Sequence, residues 1–113
     1  MSDELKLLFV CSQNEWRSRT AEKVFGGIAS WSVRSAGTAA GARIKVNEGH
    51  VAWADVIFVM EKRHGDILRE RFPGALTGKP VHCLHIPDDY VFMHPELIEM
   101  LRARVAGHLE IPE

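Results

Sequence analysis

Leu5 to Val10 (LKLLFV) is a nearly continuous apolar run that breaks at once into the polar segment Cys11 to Arg17, before a helical stripe begins at Ser18. This junction constrains the fold more than any other feature of the chain. A run with apolar residues on both alternating faces reads as a strand covered on both sides, the situation of a central strand in a parallel sheet. Val56 to Met60 (VIFVM) is a second such run, and Trp31 to Ser35 and Val81 to Ile86 complete four candidate strands. Between them apolar residues recur at helical spacing. Ala21, Val24, Phe25 and Ile28 follow Ser18, and Gly26-Gly27 weaken the end of that helix. Val46 to Ala54 predicts a short helix with Asn47 near its start, and Lys62 to Phe72 a surface helix turning Ile67, Leu68 and Phe72 inward. Pro73-Gly74 should stop that helix, and Pro95 opens a last one with the stripe Leu97, Leu101, Val105 and Leu109. Strands alternating with helices predict an α/β fold: a single three-layer α/β/α domain with a four-stranded parallel sheet.

At 113 residues the chain suffices for one core, so residues 1–113 are expected to form one domain. Its 46% hydrophobic and 26% charged content excludes a wholly disordered chain. Fourteen Lys and Arg against fifteen Asp and Glu leave a formal charge of −1, so no nucleic-acid or membrane partner is expected. No apolar run is long enough to span a bilayer. Met1-Ser2-Asp3-Glu4 lacks the basic-then-apolar order of a signal peptide. Cys11 and Cys83 are too few for a disulfide scaffold, which points to a reducing cytoplasm.

Ligands of open parallel sheets collect at the carboxyl ends of the strands, where strand order reverses. The loop after the first strand is therefore where chemistry is expected. It reads Cys11-Ser12-Gln13-Asn14-Glu15-Trp16-Arg17-Ser18. Backbone N–H groups of a tight loop there can converge on an anion, reinforced by the N-terminus of the following helix. Arg17 adds a planar fork for two oxyanion oxygens. The donors that attract phosphate also favour a thiolate at Cys11, and Ser18 can donate to that sulfur. The bland alternative is a small buried cysteine ending a strand, with Arg17 and Arg19 solvated. The strand–loop–helix context favours the catalytic one.

The run LLFVCSQNEWRSRTAEKVF resembles the active-site segment of the low-molecular-weight protein tyrosine phosphatases. Further resemblances follow in the family's order. They are Val33 to Thr38 (VRSAGT), which contains Ser35, Ala54 to Glu61 (ADVIFVME) and Ile86-Pro87-Asp88-Asp89-Tyr90. The resemblance implies hydrolysis of a phosphate monoester in two steps, with no metal or other cofactor. Cys11 would attack phosphorus, while Arg17 and the N–H groups of residues 12–18 (Ser12, Gln13, Asn14, Glu15, Trp16, Arg17 and Ser18) bind the phosphoryl oxygens. Asp88 would protonate the leaving group and then activate water. Asn14 would lock the loop and Ser18 support the thiolate, with Ser35, Asp89 and Tyr90 as further supporting residues. The implied partners are a phosphotyrosine protein or small aryl phosphate, and inorganic phosphate or sulfate in the loop.

Four positions depart from the family. Gln13 stands where many members carry glycine, and Trp16 where many eukaryotic ones carry a second cysteine. Glu15 brings negative charge to an anion site, and Asp89 replaces a proline, so Asp88 and Asp89 compete as the acid. The stretches after Thr38 and from Phe72 to Val81 look trimmed. Tyr90, like Trp16, could flank the pocket or simply pack as a loop aromatic.

Elsewhere, His82, Cys83, His85 and His94 lack metal-ligand spacing, and no metal site is expected. Gly78-Lys79 follows a helix rather than a strand and is no phosphate loop. Trp31 and Trp53 read as packing aromatics. Three functions compete: a phosphatase, arsenate reductase-like thiol chemistry, and a phosphate- or phosphotyrosine-binding module with weak turnover. A thiol relay would need more than Cys83. A regulatory subunit assembling through Leu97 to Leu109 is less simple than a packed core helix.

Overall fold

Phe9, midway along the first strand, sits between two aromatic rings, 5.6 Å from Phe25 and 5.2 Å from Phe58 between centroids. The computed structural model describes residues 4–112, so Met1 to Asp3, three of the four residues behind the signal-peptide expectation, lie outside the described residues. Strand β1 (Leu5–Cys11) occupies the middle of the sheet. It pairs in parallel with β2 (Trp31–Gly37) on one side and β3 (Val56–Val59) on the other, and β4 (Val81–Cys83) adds to β3. The order is β2-β1-β3-β4, a four-stranded all-parallel sheet. Strand order reverses beside β1, so its carboxyl end opens into the crevice where such sheets bind ligands.

The two-residue period of a strand sends alternate β1 side chains into different layers. Leu7, Phe9 and Cys11 join Ala21 and Phe25 of α1 (Arg17–Phe25) and Leu97, Leu101 and Val105 of α5 (Pro95–Ala106). Leu8 and Val10 meet Val51 of α2 (Glu48–Trp53), Leu68 of α3 (Lys62–Arg71) and Leu76 of α4 (Pro73–Leu76). Helices therefore cover both faces in a three-layer α/β/α sandwich, as the apolar pattern predicts. Fully burying each such Leu, Val or Phe contributes about 1.5–3 kcal/mol, so the buried residues from Leu7 to Cys11 anchor β1 in both layers as the site's platform.

Several boundaries differ from the sequence expectation. β4 stops at Cys83 because His85 takes a left-handed backbone (φ 53°), although Leu84 and Ile86 still donate to Val59 and Met60. Pro73-Gly74 ends α3 but also opens α4, since proline at a first helical position costs no hydrogen bond. β2 runs on to Gly37, two residues past the Trp31 to Ser35 strand expected from the sequence. α2 is shorter than Val46 to Ala54, because Asn47 caps it by accepting from His50 N–H. α5 ends at Ala106, but Leu109 still packs on the core. Lys79 has a structural role: its ammonium donates to the carbonyls of Val51, Ala52 and Ala54, at the carboxyl end of α2. Trp31 is buried against Phe25, and Trp53 lies under the Arg34 guanidinium. Among the described residues no helix is long and apolar enough to cross a membrane.

Candidate active site

Cys11 ends β1 with its side chain 2% exposed, and the chain then wraps around its sulfur before entering α1. The Asn14 N–H donates to Sγ at 3.2 Å, and the Ser18 hydroxyl lies 3.0 Å from it. Asn14 Nδ2 donates to Ser18 Oγ at 2.7 Å. With its oxygen thus occupied as acceptor, Ser18 has two acceptors in reach for its own proton, Cys11 Sγ and, at 3.4 Å, Ala36 O. The left-handed turn of the loop falls on Asn14 (φ 59°), a conformation asparagine tolerates. Gln13 has no positive φ, which explains why the chain does without glycine at that position.

Residues after β2 brace the loop from outside. Thr38 N–H donates to Cys11 O, Ala39 N–H to Ser12 O and Arg43 N–H to Gln13 O, while Arg43 Nε donates to Asn14 O. Gly37 makes this possible: a Cβ there would collide with Ser12 O and come within 2.7 Å of Ala42 Cβ. With the carbonyls of Cys11 to Asn14 held from outside, the N–H groups of Gln13, Glu15, Trp16 and Arg17 find no backbone acceptor among the described residues. Such unsatisfied donors at a helix N-terminus are an anion cradle. Ser35, expected to support the site, bonds Glu22 of α1 behind the loop instead of touching Cys11.

Arg17 is 2% exposed and held from two other strand ends. Its Nη1 donates to Glu61 Oε2 at 2.6 Å, just past β3, and to Ile86 O at 2.9 Å, past β4. Nε lies 3.6 Å from Asp88 Oδ1. The guanidiniums of Arg63 and Arg17 hold the Glu61 carboxyl down at about 2. His64, also fully buried, accepts from Glu61 N–H at Nδ1, so its proton resides on Nε2 and is donated to Ser12 Oγ at 2.9 Å. Burial, then the positive charges of Arg17 and Arg63, push His64 down to about 4, so it is neutral near pH 7. The sequence reading missed both Glu61 and His64. A Glu-x-x-His directly after a strand parallel to β1 was the available signal, since all carboxyl ends of a parallel sheet share one edge.

Cys11, Gln13, Glu15, Trp16, Arg17 and Asp88 line one cavity of about 200 Å³. Asp88 faces it across Arg17, whereas Asp89 is exposed and does not line it. Tyr90 does not reach it either: it packs on the core beside His94, as the loop-aromatic alternative expected. Cys83 does not line the cavity, and its sulfur is 3.5 Å from His85 Nδ1. Among the described residues no three His, Cys, Asp or Glu side chains form a group able to hold a metal ion.

This is the fold of the low-molecular-weight tyrosine phosphatases, with a cysteine, an arginine and an aspartate around one anion-sized cavity. No protein-family model and no curated protein matches the chain. Among solved structures, the tyrosine phosphatase Wzb from Escherichia coli K30, in complex with phosphate, is similar at 22% identity and a TM-score of 0.74, covering 95% of this chain and 96% of that one. A low-molecular-weight phosphotyrosine phosphatase from Vibrio cholerae O395 is 20% identical, with TM-score 0.70 over 91% of this chain and 95% of its own. The YwlE arginine phosphatase from Geobacillus stearothermophilus is 25% identical, with TM-score 0.63 over 91% and 84%.

Proposed function

We propose that residues 1–113 act as one cysteine-dependent phosphatase domain, hydrolysing phosphate monoesters and acting as a protein tyrosine phosphatase. The observation that carries this reading is the shared cavity of Cys11, Arg17 and Asp88. Phosphate seats on the loop N–H groups and Arg17, whose fork is already oriented by Glu61 and Ile86 O. Cys11 Sγ attacks phosphorus, the P–O bond breaks, and the Asp88 carboxyl gives its proton to the leaving oxygen. Asp88 then takes a proton from water as that water releases phosphate from the phosphocysteine, and Ser18 stabilises the departing thiolate. Arg17 and the N–H groups supply the positive field the transition state needs. Cytoplasmic location suits this chemistry, since the nucleophile must stay reduced.

Hydrolysis of para-nitrophenyl phosphate with a chelator present tests the proposal. Turnover should survive chelation, vanish in Cys11→Ser and Arg17→Ala, and fall markedly in Asp88→Asn but not in Asp89→Asn. An inactive wild type whose Cys11 is nevertheless protected from alkylation by vanadate would instead indicate the binding module.

Glu15 favours a second reading. Its carboxylate and the Trp16 indole, 41% exposed, stand at a phosphate seat where a neutral phenol gains nothing from a negative charge. A phosphorylated guanidinium carries the complementary positive charge beside its phosphoryl group. The arginine phosphatase among the similar structures lends this support. Hydrolysis of N-phosphoarginine faster than aryl phosphate, with the order reversed by Glu15→Gln, would favour it. Arsenate-type relay chemistry has no second thiol beside Cys11.

A further inference from the structure

A second and larger cavity, about 670 Å³, adjoins the phosphate loop and is lined by Arg19, Lys23, Arg43 and Phe92. Arg43 is the shared wall, since its N–H and Nε bond the carbonyls of Gln13 and Asn14 on the outer side of the loop. Arg19 stacks over the Phe92 ring at 4.4 Å from its centroid, which holds the guanidinium on the groove surface. All three cations are exposed, and none has a carboxylate within ion-pair distance among the described residues. The one acid lining the groove, Glu22, is engaged by the Ser35 hydroxyl.

The contrast with the catalytic cavity is informative. There the charge of Arg17 is met by Glu61 and Asp88, and the rim carries Glu15. In the neighbouring groove, three cations against the single carboxylate of Glu22 leave net positive charge, on a chain whose formal charge is only −1. Local charge of this kind selects and orients a partner rather than attracting polyanions in general.

We propose that this groove docks an acidic segment of the phosphoprotein substrate, flanking the phosphorylated residue on one side. This rests on the phosphatase reading of Cys11. The carboxylates of the segment meet Arg19, Lys23 and Arg43, and an apolar side chain covers Phe92.

The test compares two phosphotyrosine peptides identical except that three acidic residues beside the phosphotyrosine become Asn or Gln. Wild type should favour the acidic peptide in kcat/KM. Arg19→Gln/Lys23→Gln should lose that preference by roughly 3- to 10-fold, through KM, as expected for exposed charge pairs. Para-nitrophenyl phosphate hydrolysis should be unchanged, and 0.5 M salt should abolish the preference in wild type. Lys23→Glu, which leaves the Arg19–Phe92 stack intact, should reverse it. No preference in wild type, or a preference that survives these substitutions, overturns the proposal, as does equally tight binding of a single-stranded oligonucleotide. If no phosphate ester is hydrolysed, the phosphatase reading fails separately. Fluorescence anisotropy of the labelled, unphosphorylated acidic peptide then decides: binding lost in the double variant supports the groove, and no binding to wild type overturns it.

Discussion

Acidification should weaken this protein through His64 before it affects most of the carboxylates. His64 titrates near 6.5 in the unfolded chain and near 4 in the folded one, because burial and then Arg17 and Arg63 oppose its charge. Above pH 6.5 both states hold it neutral, and the full stability is present. As pH falls from 6.5 to 4 the unfolded chain binds a proton that the folded one refuses, so stability drops; below 4 the loss is complete. The gap between about 4 and 6.5 corresponds to at most ~3 kcal/mol, a sizeable share of the ~5–15 kcal/mol of an ordinary domain. Urea unfolding of wild type and His64→Gln at pH 7, 6, 5 and 4 measures it. The stability difference between the two proteins should shift toward the variant by about 2–3 kcal/mol over that range. His50 and His82, also lowered by burial, titrate in both proteins and cancel. Glu61 contributes its own loss only from about 4.5 down to about 2. A difference that stays flat from pH 7 to 4 would refute the claim that a buried neutral imidazole holds Ser12.

Glu61→Gln removes the charge that fixes Arg17 Nη1, and phosphatase kcat/KM should fall by roughly 10- to 100-fold with the fold intact by circular dichroism. Ser18→Ala breaks the chain from Asn14 to the sulfur. Loss of one hydrogen bond to a charged group should lower kcat by roughly 10- to 100-fold in steady-state assays. Gly37→Ala drives a methyl into Ser12 O and Ala42 Cβ, so thermal unfolding should show a loss of about 1–3 kcal/mol together with a raised KM.

The layers were legible in the apolar pattern because burial on both faces forces continuous runs such as VIFVM, and amphipathic helices must repeat near 3.6 residues. Element ends were less so. The left-handed backbone of His85 and the cap at Asn47 each depend on a single residue's local bonding, to which hydrophobic periodicity is blind. Cys11, Arg17 and Ser18 could be singled out because eight consecutive residues carry the loop's chemistry, whereas the role of Asn14 came with the resemblance. Asp88 needed the resemblance to be noticed among ordinary turn residues.

What the sequence determined by itself was therefore local: a buried strand, a loop rich in donors, and a nucleophile with its arginine at its base. Asp88 aside, which the resemblance named, tertiary structure alone decided which distant groups complete the site. Glu61, His64, Ile86 O and Asp88 reach Arg17 and Ser12 only because parallel strands bring their carboxyl ends to one edge, 44 to 71 residues apart in sequence from the loop residues they meet. It also decided that Tyr90 packs inward and that Arg19, Lys23 and Arg43 share a groove. A linear pattern records burial and period, whereas the direction of a side chain across a cleft depends on how separate elements are docked together.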